Sequence, residues 1–185
     1  RGGGGGGGGG AWRCEPATGE RLRSPNGIAV RHGATRGEPT LLFVSEAMAL
    51  RIRVYELDAA ADAAGGGTVP RLVQILKTNT LCDNIDVSAA TRRVFVACHP
   101  RGLDFLTHAA APTDKSKWPY TQVFELYADA RLPVLRRWRY FEHYLRNDTY
   151  PAATVAAQAH GDRLLLGAAV SDGVSSCALP PPVAP

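Results

Sequence analysis

Residues 82–87 read Cys-Asp-Asn-Ile-Asp-Val, with polar side chains set directly before a short apolar run; residues 24–30 repeat the device as Ser-Pro-Asn-Gly-Ile-Ala-Val. Each run leads through a turn to a stronger apolar run, residues 41–45 after the first and 94–98 after the second. Residues 51–57, Arg-Ile-Arg-Val-Tyr-Glu-Leu, alternate with a period of two. That is the pattern of a half-buried strand, whose successive side chains point to opposite faces. Residues 72–76 close the first unit, beyond a glycine-rich connection over residues 59–70. The second unit gains a strand at 122–127. A third unit is expected from residues 150–158, a Gly-Asp turn within 160–163, and runs at 164–170 and 176–179.

Asn26, Asn84 and Thr154 stand at comparable points, 58 and 70 residues apart, each before an apolar strand. The pattern predicts an all-β fold of four-stranded antiparallel blades arranged radially, the innermost strand of each starting at a central axis. A β-sandwich uses the same strands but asks for no polar residue where they begin. The recurrence of such residues favours the propeller.

Of the 185 residues, 45% are hydrophobic and 20 are glycine, nine of them in one run from Gly2 to Gly10. Residues 1–10 read as a flexible low-complexity leader. Glycine does not recur at every third position as in collagen, and no Gly-Lys-Ser/Thr follows as in a phosphate loop. No apolar stretch approaches the roughly 20 residues that a membrane-crossing helix needs. The chain opens on Arg1 and its single methionine, Met48, lies inside a patterned segment, so a fragment of a longer protein is expected.

The net charge of +4 is spread along the chain, with Arg136, Arg137 and Arg139 as the only dense group, interleaved with Trp138 and Tyr140. A solvated strand face with an aromatic underside accounts for this group, and no nucleic-acid partner is expected. Cys14, Cys82, Cys98 and Cys177 form no Cys-x-x-Cys pair, which argues against a thiolate zinc site. One bridge is compatible with four cysteines; spacing does not identify its partners. The absence of a Gly-x-Ser-x-Gly elbow argues against a serine-nucleophile esterase.

Asn26 and Asn84 carry hard oxygen donors at strand starts that a propeller would bring to its tunnel, and such donors suit Ca²⁺. The same asparagines also suit Asx-turns. Segments 24–30, 43–57, 83–100 and 164–177 together resemble the C-terminal half of the paraoxonase/arylesterase family. The most specific part is Asp83-Asn84-Ile85-Asp86-Val87 followed by Val96-Ala97-Cys98-His99-Pro100-Arg101-Gly102. The resemblance spans about residues 22–180 and is looser over 103–118.

The resemblance implies a six-bladed β-propeller with two calcium ions in its tunnel, hydrolysing lactones, aryl esters and, in some members, organophosphates. This chain would supply roughly the last three blades over residues 11–180, followed by a proline-rich tail at 181–185. By the same resemblance Asn26, Asp83 and Asn84 are ligands of the catalytic calcium, and His99 lines the active-site mouth. Cys98 matches the family's unpaired cysteine; Cys177 matches a last-strand cysteine bridged to one near the N-terminus. Asn147-Asp148-Thr149 is a glycosylation sequon near one in the family.

The remaining calcium ligands and a histidine dyad proposed as the base belong to blades before this segment, so this chain alone is expected to be inactive. Asp86 and Asp104 are the nearest substitute ligands, Asp86 because it falls two positions after Asn84 on a strand. Secretion, or membrane association in the secretory pathway, is implied, as is membrane or lipid-particle association. A different class of function, a non-catalytic propeller scaffold similar to strictosidine synthase-like or gluconolactonase-like proteins, is the alternative.

Overall fold

The computed structural model describes residues 14, 16–57, 69–133, 136–146, 154–170, 173–179 and 181–182. The poly-glycine leader, most of the 59–70 connection and Asn147 lie outside the described residues. Eleven strands among them form three antiparallel sheets. The first contains β1 (Pro25–Arg31), β2 (Thr40–Glu46), β3 (Arg51–Leu57) and β4 (Arg71–Lys77). The second contains β5 (Leu81–Val87), β6 (Val94–His99), β7 (Thr121–Ala128) and β8 (Trp138–Arg146). The third contains β9 (Thr154–His160), β10 (Arg163–Ala168) and β11 (Val174–Ala178). Spatial order follows chain order in every sheet, so each is a meander of strands paired with their sequence neighbours. The all-β expectation holds.

The second sheet lies between the other two, which explains why β6 is buried along its whole length instead of alternating. On one side Leu41, Phe43, Ile52 and Val54 of the first sheet meet Val94, Val96, Phe124 and Trp138. Phe43 and Trp138 pack edge to face, their centroids 4.9 Å apart. On the other side Phe95, Ala97 and Val123 meet Ala157, Leu164 and Leu166 of the third sheet. The far side of the first sheet carries Leu42, Val44 and Tyr55, against which Leu22 packs from the segment before β1.

The first strands of the three sheets, the inner strands where the sheets meet, are neighbours, β1 against β5 and β5 against β9. At the outer edge, Gln74 of β4 donates to the Trp138 carbonyl at 2.9 Å and accepts from the Trp138 N–H at 3.0 Å. Trp138 is buried while Arg139 and Tyr140 are exposed, so of the two aromatics expected on the underside only Trp138 is buried.

Each inner strand is bulged near its start: β1 between Pro25 and Ile28, β5 between Cys82 and Ile85, and β9 opposite Gly167 and Ala168. A bulge bends the strand and re-aims its side chains, and the recurrence gives the sequence repeat a structural basis. It also corrects the alignment by one residue. The bulged pair Asn26-Gly27 corresponds to Asp83-Asn84, so Asn26 matches Asp83 and not Asn84.

Helical structure between β6 and β7 was not legible in the sequence: α1 spans Gly102–Ala109 and a short 3-10 turn spans Lys115–Lys117. The reason is that α1 buries His108 while leaving Leu103 and Leu106 exposed, so no apolar stripe faces a core. No helix among the described residues is long and apolar enough to cross a membrane.

Candidate functional site

The bulges of β1 and β5 touch through backbone. A Cβ built on Gly27 would fall 2.2 Å from the Asp83 carbonyl oxygen and 2.7 Å from the Asn84 Cα, so only glycine permits this approach. Ser45, fully buried at the end of β2, ties the two together. Its hydroxyl accepts from the Gly27 N–H at 2.7 Å and donates to the Asp83 carbonyl at 2.7 Å. A bulge leaves backbone groups outside the ladder, and a buried group of that kind costs stability unless paired. Ser45 pairs one from each strand. Sequence reasoning missed this residue, which reads as one polar position in an apolar run.

Three of the expected site residues therefore share one place at the start of adjacent inner strands: Asn26 and Asn84 exposed, Asp83 partly buried. His99 joins them from the end of β6, where it pairs in register with Leu81 of β5. Its Nε2 lies 3.8 Å from Asp83 Oδ2, beyond hydrogen-bond reach but close enough for electrostatic contact. The imidazole is buried and lies against the Phe105 ring of α1, centroids 4.6 Å apart. Neither ring nitrogen has a hydrogen-bond partner among the described residues.

Cys82 and Cys98 are directly opposed in the β5–β6 ladder, their Cα atoms 4.0 Å apart, and form a disulfide. This corrects the expectation that Cys98 is unpaired: the hairpin register, invisible in the spacing, brings it to Cys82. Each half-cystine is followed by a site residue, Asp83 in one strand and His99 in the other. Cys177 on β11 and Cys14 are free thiols in the structure.

Neither substitute carboxylate joins the cluster. Asp86 pairs in register with Phe95, whose ring faces the third sheet. Its Oδ2 is buried without a partner among the described residues, and burial pushes its carboxyl above the usual range, partly offset by the Val87 N–H. Asp104 lies on α1 and is paired with Arg101 at 3.0 Å. Among the described residues no three His, Cys, Asp or Glu side chains converge as a metal-binding group. The donor set at the bulges is one carboxylate and two amides, all hard oxygen donors, which fits part of a Ca²⁺ shell of roughly six to eight oxygens. Such a set does not suit metals that prefer sulfur or nitrogen.

The turn after β2 and α1 after β6 leave their sheets at the end where β1 and β5 begin. Both expose apolar side chains, Met48 from the turn and Leu103 and Leu106 from the helix. No protein-family model and no curated protein matches the sequence.

Proposed function

We propose that the three sheets are blades of a six-bladed β-propeller and that the chain is part of a paraoxonase/arylesterase-like, calcium-dependent hydrolase of lactones and aryl esters. The observation that carries this reading is the pair of touching bulges that gathers Asn26, Asp83 and Asn84, with His99 3.8 Å from the Asp83 carboxylate. The adjacency of β1, β5 and β9 supports the radial arrangement.

In this reading Asn26, Asp83 and Asn84 would hold calcium. The ion, when bound, supplies Lewis-acid polarisation of an ester carbonyl oxygen. Asp83 contributes the negative charge of the ligand set, and Ser45 fixes the backbone from which it projects. His99, shielded by Phe105, orients the ester or takes up a proton at a ring nitrogen left without a protein partner. Met48, Leu103 and Leu106 favour an apolar acyl or aryl group on the substrate.

Two measurements test the proposal: calorimetric titration of this chain with Ca²⁺, and hydrolysis of an aryl acetate and a lactone panel, in calcium or chelator, by the protein that carries the preceding blades. Asp83→Ala is expected to weaken Ca²⁺ binding at least tenfold and to abolish any calcium-dependent hydrolysis. Equal Ca²⁺ binding by wild type and variant removes the site. Because this chain alone is expected to be inactive, the turnover test belongs to the protein that carries the preceding blades: Asp83-dependent Ca²⁺ binding there with no turnover of any ester or lactone overturns the hydrolase reading in favour of a binding scaffold.

A further inference from the structure

A second site lies far from the inner strands, at the seam between the outer strands of the first two sheets. A cavity of about 480 Å³ opens there, lined by Leu72, Val73, Gln74 and Ile75 of β4 and by Arg136 and Arg139. Its shape has a local cause. The β3–β4 ladder is irregular between Val54 and Tyr55, where Val73 is an extra residue between Leu72 and Gln74. That bulge bends β4 beside the position where Gln74 reaches across to both backbone groups of Trp138. The two sheets are pinned at that point, and the space beside it stays open.

The lining is chemically one-sided. Leu72, Val73 and Ile75 give an apolar floor, and β4 is the last strand of its sheet, so among the described residues its outer backbone groups have no strand partner. Among the described residues the charged members of the wall are both arginines. Arg139 donates to the Arg136 and Trp138 carbonyls, which fixes its guanidinium at the seam without neutralising it. Neither Arg136 nor Arg139 forms an ion pair among the described residues; the nearby carboxylate of Asp129 is paired with Arg131 at 2.8 Å and acts on Arg139 only at longer electrostatic range. A guanidinium offers planar, fork-like donors suited to two-oxygen anions.

We propose that this seam binds a small anionic amphiphile, a carboxylate or phosphate head on an alkyl chain. The head meets Arg136 and Arg139, and the chain lies along Leu72 and Ile75. The volume falls within the range of roughly 300–1,000 Å³ typical of small-molecule sites. The proposal is independent of the calcium site.

Isothermal calorimetry with dodecanoate, dodecyl phosphate and dodecanol, each below its aggregation concentration, tests it on the full chain. Both anions are expected to bind with 1:1 stoichiometry, and dodecanol at least tenfold more weakly. The Arg136→Ala/Arg139→Ala double variant, with its fold checked by circular dichroism, is expected to lose at least tenfold in affinity for the anions while leaving dodecanol unaffected. Asp83→Ala is expected to bind them as wild type does. Preference for one anion over the other identifies the head group. Equal binding of dodecanol and dodecanoate overturns the proposal, as do unchanged affinity in the double variant and binding of a glutamate-rich peptide with no binding of either anion.

Discussion

The buried hydroxyl of Ser45 donates a 2.7 Å hydrogen bond to the backbone carbonyl of Asp83, 38 residues away and in a different sheet. Because the same hydroxyl accepts from Gly27, one side chain holds the two inner strands in contact at their bulges.

Ser45→Ala leaves the Gly27 N–H and the Asp83 carbonyl without that partner in a buried place, which costs about 1–3 kcal/mol. Gly27→Ala is expected to be at least as damaging. The new methyl group meets the Asp83 carbonyl oxygen, the Ile85 nitrogen and the Asn84 Cα, all backbone and unable to rotate away. Urea unfolding should place both midpoints below wild type. A Gly27→Ala protein as stable as wild type contradicts the close approach of β1 and β5.

The Cys82–Cys98 disulfide closes a segment with a sequence separation of 16, and a loop of this length is worth about 3 kcal/mol. Cys82→Ala/Cys98→Ala is expected to lose about that much in denaturant unfolding under non-reducing conditions. Thiol titration of the denatured, unreduced wild-type protein should find two thiols, Cys14 and Cys177. Four thiols rule out the bridge.

The strands were legible where side-chain alternation or continuous burial governs the sequence: residues 51–57 coincide with β3, and 94–98 fall one residue short of β6. The meeting of Asp83 with His99 was implicit in two motifs that flank a hairpin. Tertiary register was not legible. The bulge between Cys82 and Ile85 breaks the period of two, and no spacing rule pairs Cys82 with Cys98. Ser45 escaped notice because its role depends on a strand 38 residues away. The helix α1 escaped because its leucines face outward.

On the far side of the first sheet, Glu46 is fully buried and accepts from Arg51 and Arg53, each at 2.5 Å, and from the Arg23 N–H at 2.7 Å. Burial alone would raise its carboxyl, but the bonds from Arg51, the Arg23 N–H and Arg53 outweigh it and hold the group at about 2, below the ordinary 4.5. A carboxyl with a depressed folded value contributes stability above its unfolded value and loses it as pH falls through the folded one. The contribution is therefore full above about 4.5 and fades toward 2. Glu46→Gln is expected to cost about 1–3 kcal/mol near neutrality, since the buried Arg53 loses one of its two carboxylate partners, with Glu20 remaining, and the half-buried Arg51 loses its own. The gap between variant and wild type should narrow in urea melts as pH falls below about 4. A constant gap assigns the loss to packing instead of charge.

Asp86 behaves in the opposite sense. Its carboxyl is raised by burial, and the Val87 N–H offsets only part of that rise. For a group raised in the folded state, stability is full below its unfolded value and is lost as pH climbs through the folded one. Ionised Asp86 is thus a cost at neutral pH, and its Oδ2 has no partner among the described residues to reduce it. Asp86→Asn keeps the size and removes the charge, so it is expected to stabilise the fold near neutrality. The gain should vanish in acid, below the titration of an ordinary aspartate, where the native side chain is itself neutral. Thermal melts of both proteins across that range provide the measurement. If Asp86→Asn destabilises the protein at neutral pH, the carboxylate has a cationic partner in the folded chain and belongs to a binding site.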